Sequence, residues 1–115
     1  MYTGATFRQF LVGTRGSPLS LAQTNSVVSH LKTANPKAKF RIIEIATDGD
    51  RDKNTPLHNL ERGVFVKDIE TALLNGQVDL AVHSAKDLSI HMPDKLTIGA
   101  VPRRNDPRDV LVNRW

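Results

Sequence analysis

Three short polar segments hold the residue types that could bind a ligand or do chemistry in this sequence of 115 residues. They are Thr-Arg-Gly-Ser at 14–17, Thr-Asp-Gly-Asp at 47–50 and His-Ser-Ala-Lys-Asp at 83–87, and each follows an apolar, strand-like run. In an open parallel sheet, ligands bind beyond the carboxyl ends of the strands, where loops meet helix N-termini. We therefore expect these segments to converge on one edge of a sheet.

The first segment predicts an anion-binding site. Arg15 and Ser17 stand where a helix begins, because Ser17 is followed by Pro18. A guanidinium, a hydroxyl and the backbone N–H groups of a helix start can together hold a carboxylate or a phosphate. The alternative interpretation is an N-cap serine beside a solvated arginine. The single-glycine turn is too short for a P-loop or a dinucleotide fingerprint.

The third segment places a cation and a carboxylate side by side, at Lys86 and Asp87. A partly desolvated carboxylate at this position could stabilise a cationic intermediate or move protons. The alternative is a surface ion pair of small energetic value. His83 stands at the edge of the segment, as its first residue. No acid–base partner for it is evident from the sequence.

Metal and nucleic-acid sites are not indicated. Asp48, Asp50 and Asp52 alternate like the start of a calcium loop, but glycine stands at the second position and Asn59 where a bidentate glutamate is required. The four histidines are dispersed without metal-ligand spacing. The arginines near the C-terminus are interleaved with aspartates and lack an aromatic platform, which argues against nucleic-acid binding. They are Arg103, Arg104 and Arg108.

The composition is that of one ordinary globular domain, with 39% hydrophobic and 24% charged residues. Residues 1–40 contain five Lys or Arg and no Asp or Glu, which favours a small acidic ligand or a phosphate backbone as partner. The absence of cysteine excludes disulfides and thiolate chemistry within these residues. Because no membrane span or signal segment is evident, we expect a cytoplasmic location without membrane association.

The apolar runs alternate between strand-like and helix-like periods, which predicts an α/β fold with a mostly parallel sheet and helices on both faces. Ser17-Pro18 and Asn35-Pro36 bound the first helix, and Gly76 is predicted as a left-handed cap of the second. The long polar stretch 47–63 is expected to move. In chain order we expect strand 7–12, helix 17–35, strand 40–46, loop 47–63, helix 64–75, strand 78–82, strand 96–101, a turn at 106–107 and a last run at 110–112.

Four segments, in order, give the sequence a strong resemblance to the porphobilinogen deaminase family, also called hydroxymethylbilane synthases. They are VGTRGSPLSLAQ, IATDGDRDKNTPL, GVFVKDIETALLNGQVDLAVHSAKDL and DPRDVLV. The resemblance runs from about Phe10 to Val112 and covers the N-terminal portion of the family. It implies a transferase of tetrapyrrole (haem) biosynthesis that condenses four porphobilinogen molecules head to tail and releases ammonia each time to give hydroxymethylbilane.

The resemblance also implies an architecture and a cofactor. The fold would be similar to one domain of a type II periplasmic binding protein, and two such domains would enclose the active site. A third domain would carry a cysteine that holds a dipyrromethane cofactor by a thioether. The partners implied are porphobilinogen, oligopyrroles built on dipyrromethane, and the remaining domains of the same protein or of a partner chain.

Site residues follow from the resemblance position by position. Asp87 matches the family's catalytic aspartate, which assists loss of ammonia and stabilises positively charged pyrrole intermediates through the pyrrole nitrogens. The positions that hold acetate and propionate carboxylates of cofactor and substrate are matched by Arg15, Ser17, Ser84, Lys86 and, more weakly, Gln23. No metal site is implied.

The sequence departs from the family pattern in three places. Glu61 and Arg62 stand in a loop that is usually Gly-Gly-Lys-Gly-like, and Ser89 stands where a proline is common. The sequence stops at Trp115, so we expect residues 1–102 to form the first domain and 103–115 to cross towards a second, with the later domains absent. Such a fragment should be inactive alone and should expose an unpaired sheet edge.

Two other functions remain compatible with these residues. A stand-alone binding module for small polycarboxylates would use Arg15, Ser17 and Lys86 but would not need Asp87. A structural paralogue without a ligand is suggested by Glu61, Ser89 and the missing cysteine, and it ranks last because it gives no reason for the polar segments to converge.

Overall fold

Strand β1 (Gln9–Thr14) lies at the centre of a three-stranded parallel sheet, between β2 (Lys39–Glu44) and β3 (Leu80–Ala81). The computed structural model describes residues 8–47, 54, 66–88 and 91–104. Helix α1 (Pro18–Ala34) connects β1 to β2, and helix α2 (Lys67–Leu74) precedes β3. The fold is therefore α/β, as the alternating pattern predicts, and it is compatible with one domain of a type II periplasmic binding protein.

The strands are held in register by regular pairing and by a pair of aromatic rings. Phe10 of β1 is directly opposite Phe40 of β2, and their rings stack with centroids 5.5 Å apart. The guanidinium of Arg8 lies 4.8 Å from the Phe10 ring centroid, which adds a cation–π contact. This cluster stabilises the amino-end of the sheet, at the opposite end of β1 from the polar segments.

The two layers of helix pack on opposite faces of β1. Val12 and Thr14 alternate with Gly13 along the strand, and the Thr14 hydroxyl reaches Thr24 in α1. A Cβ atom on Gly13 would instead lie 3.1 Å from the side chain of Val78, which follows α2. It would also lie 3.1 Å from the side chain of Ile45, so glycine suits this position because two apolar side chains pack directly on the backbone of the strand.

Helix α1 begins and ends where the sequence predicts. Ser17 is its N-cap and Pro18 its first residue, while Asn35 caps the C-terminus before Pro36. Val28 is buried on the predicted apolar stripe. Thr24, which interrupts that stripe, is also fully buried, and this was not predicted.

Helix α2 supplies much of the core on the other face. Ile69 and Ala72 of this helix are buried together with Val66 and Val78 on either side of it. Gly76 has a φ of +74°, which confirms the left-handed conformation predicted after the helix. Strand β3 is short, but backbone hydrogen bonds of Asp79 and Val82 to β1 extend the pairing by one residue at each end.

The strand predicted at 96–101 is wrong. These residues are described, and among the described residues they pair with no strand. The side chains of Ile98 and Val101 are 55% and 84% exposed, and of the apolar residues at 96, 98 and 101 only Leu96 is partly buried. β-prone residues form a strand only where they find a pairing partner and a surface to pack on, and this segment has neither in the described part of the chain.

Other predictions lie outside the described residues. They concern nearly all of the loop 47–63, the turn at 106–107 and the run at 110–112. Neither α1 nor α2 has the length and apolar character needed to cross a membrane, and no other described helix does. Within the described residues, no three His, Asp or Glu side chains are grouped to hold a metal ion.

Candidate active site

The turn that follows β1 is fixed by hydroxyl groups at its two ends. The Thr14 hydroxyl donates to the carbonyl of Arg15 at 3.0 Å, and the Ser17 hydroxyl accepts from the Ser20 N–H at 3.3 Å and donates to Oγ of Ser20 at 2.8 Å. The carbonyl of Thr14 also accepts from the Ile45 N–H at 2.8 Å, just past β2. The Arg15 side chain therefore projects from a backbone held on both sides.

Helix α1 adds a further buried hydroxyl to this turn. Thr24 lies two turns into the helix, and its hydroxyl is 2.9 Å from that of Thr14 and 2.7 Å from the Ser20 carbonyl. Thr14 and Thr24 are both fully buried. We refer to Thr14, Ser17, Ser20 and Thr24 as the hydroxyl cluster. It joins the strand, the turn and the first two turns of α1.

The segment that follows β3 is held mainly by its backbone. The Val82 N–H donates to the Gly13 carbonyl at 3.2 Å, which sets the segment beside the end of β1. A single 3-10 turn, Ala85–Asp87, follows, and its Asp87 N–H donates to the Ser84 carbonyl at 2.9 Å. Lys86 points to solvent from this turn, whereas Asp87 is half-buried.

The two segments meet through Arg15 and Asp87. The Arg15 Nη1 and Asp87 Oδ2 atoms are 3.7 Å apart, and the two side chains are only 16% and 15% exposed. At this distance the contact is electrostatic rather than a short hydrogen bond. The site therefore presents a cation and a carboxylate close together, at the carboxyl end of the central strand, as the sheet-edge argument predicts for the first and third segments.

His83 lies next to this pair and is neutral over a wider pH range than an ordinary histidine. Burial lowers its pKa below the usual 6.5, because desolvation disfavours the charged imidazolium. The Asp87 carboxylate raises the pKa and the Arg15 guanidinium lowers it, and these smaller effects oppose each other. Asp87 is therefore a charged neighbour of His83, which the sequence did not reveal.

A second carboxylate approaches the turn from β2. A Cβ atom built on Gly16 would lie 3.2 Å from Oε2 of Glu44, the last residue of that strand. A side chain at position 16 would meet this carboxylate, which is the end of a flexible, exposed side chain and can move aside. Glu44 thus places a negative charge against the backbone of the turn.

The predicted site residues do not all lie in the same surroundings. Arg15 and Asp87 come together where β1 and β3 end, while Ser84 directly precedes the 3-10 turn that carries Asp87 and Lys86 lies at the solvent side. Ser17 is the N-cap of α1, so its hydroxyl already takes part in capping the helix. Gln23 is half-buried within α1, more than one turn beyond Ser17. The ligand-binding roles of these residues remain predictions, and Asp48 to Asp50 lie outside the described residues.

Sequence reasoning missed three contributors to the site. Thr24 and Ser20 belong to the hydroxyl cluster, and Glu44 lies against the turn. For Ser20, the only available signal was its position three residues after the N-cap, where a side chain faces the cap. For Thr24, the signal was a threonine on an otherwise apolar helical stripe, which indicates a buried hydroxyl with a partner.

The chain matches known proteins along almost its whole length. A family model described as "Porphobilinogen deaminase, dipyromethane cofactor binding domain" matches residues 10–115. The porphobilinogen deaminase of Syntrophus aciditrophicus is 50% identical over 103 residues, which are 89% of this chain and 34% of that protein. Those of Bacillus subtilis and Thermus thermophilus are 46% and 48% identical over 93% of this chain, again 34% of each relative. The chain thus spans about a third of the curated relatives it matches.

Proposed function

The chain belongs to the porphobilinogen deaminase family, and on that premise we propose that it forms the first α/β domain of an enzyme that makes hydroxymethylbilane. Four porphobilinogen molecules would be condensed head to tail, with one ammonia released for each. Since the chain spans 34% of its relatives, the rest of such an enzyme comes from further domains. Residues 1–102 would be the domain itself, residues 103–115 the crossing towards the next one, and the location cytoplasmic.

The observation that carries this proposal is the 3.7 Å approach of the Arg15 guanidinium to the Asp87 carboxylate. Porphobilinogen has acetate and propionate side chains on a pyrrole ring, so a site for it needs a cation for the carboxylates and an anion for the ring N–H. These two groups stand side by side, and both are mostly shielded from water. Shielding strengthens the attraction of each group for an opposite charge.

Asp87 is the group that would act on the reacting ring. When the C–N bond of the protonated aminomethyl group breaks, the bonding electrons leave with ammonia, and the positive charge passes to the pyrrole. A carboxylate held near the ring nitrogen stabilises that charge. The same carboxylate can accept a hydrogen bond from the pyrrole N–H before the bond breaks, which orients the ring.

Arg15 and Lys86 would bind the acidic side chains, with help from nearby hydroxyls and an amide. A guanidinium can bind a carboxylate through two parallel hydrogen bonds, whereas the exposed Lys86 acts as a point charge at the rim. Ser84, Ser17 and Gln23 complete the proposed set. A ligand carboxylate that binds Arg15 competes directly with Asp87, so ligand binding would release the aspartate for the ring nitrogen.

The dipyrromethane group named in the family description suits these residues in one respect and not in another. Its carboxylates and pyrrole N–H groups match the cations and the carboxylate of the site. Its thioether bond needs a thiol, and none of the 115 residues is cysteine. When bound, the group supplies the pyrrole chain to which new rings are added. Arg15, Lys86 and Asp87 would hold it, while its covalent attachment would come from another domain.

The proposal is tested by binding and by turnover. Porphobilinogen is titrated into the 115-residue chain and followed by NMR, with Arg15→Ala as the test variant and Arg8→Ala as the matched control. Each variant removes one arginine next to β1, Arg8 before the strand and Arg15 after it. Arg8 lies over the Phe10 ring, at the opposite end of the strand from the site. We expect Arg15→Ala to weaken binding about tenfold or more and Arg8→Ala to leave it unchanged.

Turnover is measured on the native-length protein. We expect it to convert porphobilinogen to hydroxymethylbilane. Equal binding by both arginine variants would contradict the proposed carboxylate site. A native-length protein that binds porphobilinogen but forms no hydroxymethylbilane would contradict the proposed enzyme and favour the polycarboxylate-binding module.

A further inference from the structure

The hydroxyl cluster contains a relay that ends on the backbone of Arg15. Each hydroxyl has one proton, so when Thr24 donates to Thr14, Thr14 donates in turn to the Arg15 carbonyl. The Ser20 carbonyl, 2.7 Å from the Thr24 oxygen and 3.4 Å from the Thr14 oxygen, is the alternative acceptor for either proton.

Thr24 differs from the other helical threonines whose hydroxyls lie within hydrogen-bond distance of the carbonyl four residues earlier. Thr33 in α1 and Thr71 in α2 donate their hydroxyls to that carbonyl, at 3.1 and 3.0 Å, but both are exposed. Thr24 is fully buried and makes an additional contact with Thr14, ten residues away. The local bond therefore does not explain why a hydroxyl is buried at position 24. The contact with the turn does.

We propose that Thr24 is a positioning residue for Arg15, and that its hydroxyl acts through Thr14 to fix the turn from which the guanidinium meets an anionic ligand. The inference rests on the proposed function, in which Arg15 binds ligand carboxylates. Thr24 would act only through Thr14 and the turn, without contacting the ligand itself. Removal of the Thr24 hydroxyl leaves the buried Thr14 oxygen without its donor, and an unmatched buried acceptor is costly, so we expect the turn to adjust when Thr24 is replaced.

The experiment uses the 115-residue chain and three variants. Thr24→Val keeps the branched shape and removes the hydroxyl, Thr24→Ser keeps the hydroxyl, and Thr33→Val removes the exposed equivalent in the same helix. The first measurement is the NMR signal of the Arg15 side-chain Nε–H without ligand. The second is the Kd for porphobilinogen, and the melting temperature of each variant is recorded alongside.

We expect Thr24→Val to shift the Arg15 signal and to raise the Kd about three- to tenfold, an effect of the size of one lost hydrogen bond. Thr24→Ser should restore both, and Thr33→Val should change neither. An Arg15 signal that is unchanged in Thr24→Val overturns the inference, as does a loss in Thr24→Val that Thr24→Ser fails to restore. If the wild-type chain does not bind porphobilinogen, the proposed function fails, while the ligand-free Arg15 signal still decides the role of Thr24.

If Thr24→Val does not fold, the wild-type chain decides instead. Hydroxyl protons of Thr14 and Thr24 that exchange slowly with water, with a through-space contact to the turn, support the relay. Hydroxyl protons that exchange at the rate of the Thr33 hydroxyl overturn it.

Discussion

The turn after β1 and the segment after β3 both end at the same edge of the sheet, but they are held in different ways. Side-chain hydroxyls fix the first from both ends, through the buried Thr14 and the half-buried Ser17. The second is held by backbone bonds of Val82 and Asp87, and its Lys86 extends into solvent. A proposed anion-binding arginine thus stands on the firmly held side, and the proposed catalytic carboxylate on the less constrained side.

This difference suits two tasks that place different demands on geometry. A guanidinium binds a carboxylate well only when the two planar groups are aligned, so its backbone benefits from being fixed. In the proposed reaction, a carboxylate that follows a growing chain of pyrrole rings benefits from a segment that can adjust. The two regions can therefore be separated by experiment, since changes on one side should affect binding and changes on the other should affect turnover.

The largest effect is expected from Asp87→Asn in the native-length protein. The amide keeps the shape of the side chain but removes the charge that stabilises a cationic pyrrole, so kcat should fall by about 100-fold or more. Porphobilinogen binding, which depends on the cations, should be largely retained. Turnover and binding are measured on the same preparation. Asp79→Asn is not a suitable control, because that carboxylate accepts from the Leu11 N–H at 2.8 Å.

Asp94→Asn is the matched control, since Asp94 is an exposed carboxylate beyond the site. We expect it to leave kcat unchanged. Equal turnover in Asp87→Asn and wild type would mean that the segment after β3 has no catalytic role, and the comparison between the two regions would lose its functional meaning.

The next largest effect is expected from Arg15→Lys. Lysine keeps the positive charge but loses the planar fork, so the Kd of the 115-residue chain for porphobilinogen should rise about tenfold. Lys86→Arg, on the less constrained side, should alter the Kd less than threefold, because an exposed point charge makes no demand on alignment. Calorimetric titration measures both. A larger change for Lys86→Arg than for Arg15→Lys would reverse the assignment of the firmly held side.

A smaller effect is expected from Ser17→Ala, which tests how firmly the first turn is held. Loss of the N-cap should lower the free energy of unfolding by about 1 kcal/mol, since the Ser20 N–H loses its acceptor. Ser26→Ala, an exposed position in the middle of α1, is the control and should be neutral or slightly stabilising. Urea unfolding followed by circular dichroism gives both values. Equal stability of the two variants would show that the cap does not hold the turn.

The smallest effect is expected from the titration of His83. Its pKa in the folded chain lies below 6.5, so the unfolded chain binds more protons between these two pKa values. The stability that neutral His83 contributes is therefore fully present above pH 6.5 and is lost as the pH falls through the lower, folded-state pKa. Thermal unfolding between about pH 5 and 8 should show this decline, and His83→Gln should reduce it.

His91→Gln serves as the control for that measurement, because His91 is exposed. It should leave the pH dependence as it is in the wild type. A decline that persists unchanged in His83→Gln would assign the pH dependence to other groups.

Local signals predicted the elements of this fold, and non-local contacts decided what the signals left open. The Ser17-Pro18 start of α1 and the left-handed Gly76 depend on neighbouring residues, so the sequence alone was sufficient. The convergence of two polar segments followed from strand polarity, but the pairing of Arg15 with Asp87 joins residues far apart in the chain. Only the folded structure shows that these two side chains lie close together.

Burial of polar groups and the fate of β-prone runs were the parts that the sequence could not resolve. Thr24 reads as a break in an apolar stripe until its partner, Thr14, is seen across the helix–strand contact. The residues 96–101 have strand-like composition, yet strand formation depends on a free edge and a covering surface elsewhere. In both cases the outcome depends on residues in another part of the chain.

The central strand β1 is synthesised before both of the strands that pair with it. Its first partner, β2, emerges from the ribosome soon after it, whereas Leu80 of β3, the partner of Val12, follows much later. At translation rates of about 5–20 residues per second, this interval lasts roughly 3–14 s. During that time one edge of β1 has its backbone N–H and C=O groups without their final partners. Nascent chains of this protein therefore pass through a period in which a chaperone or a neighbouring nascent chain can pair with that edge.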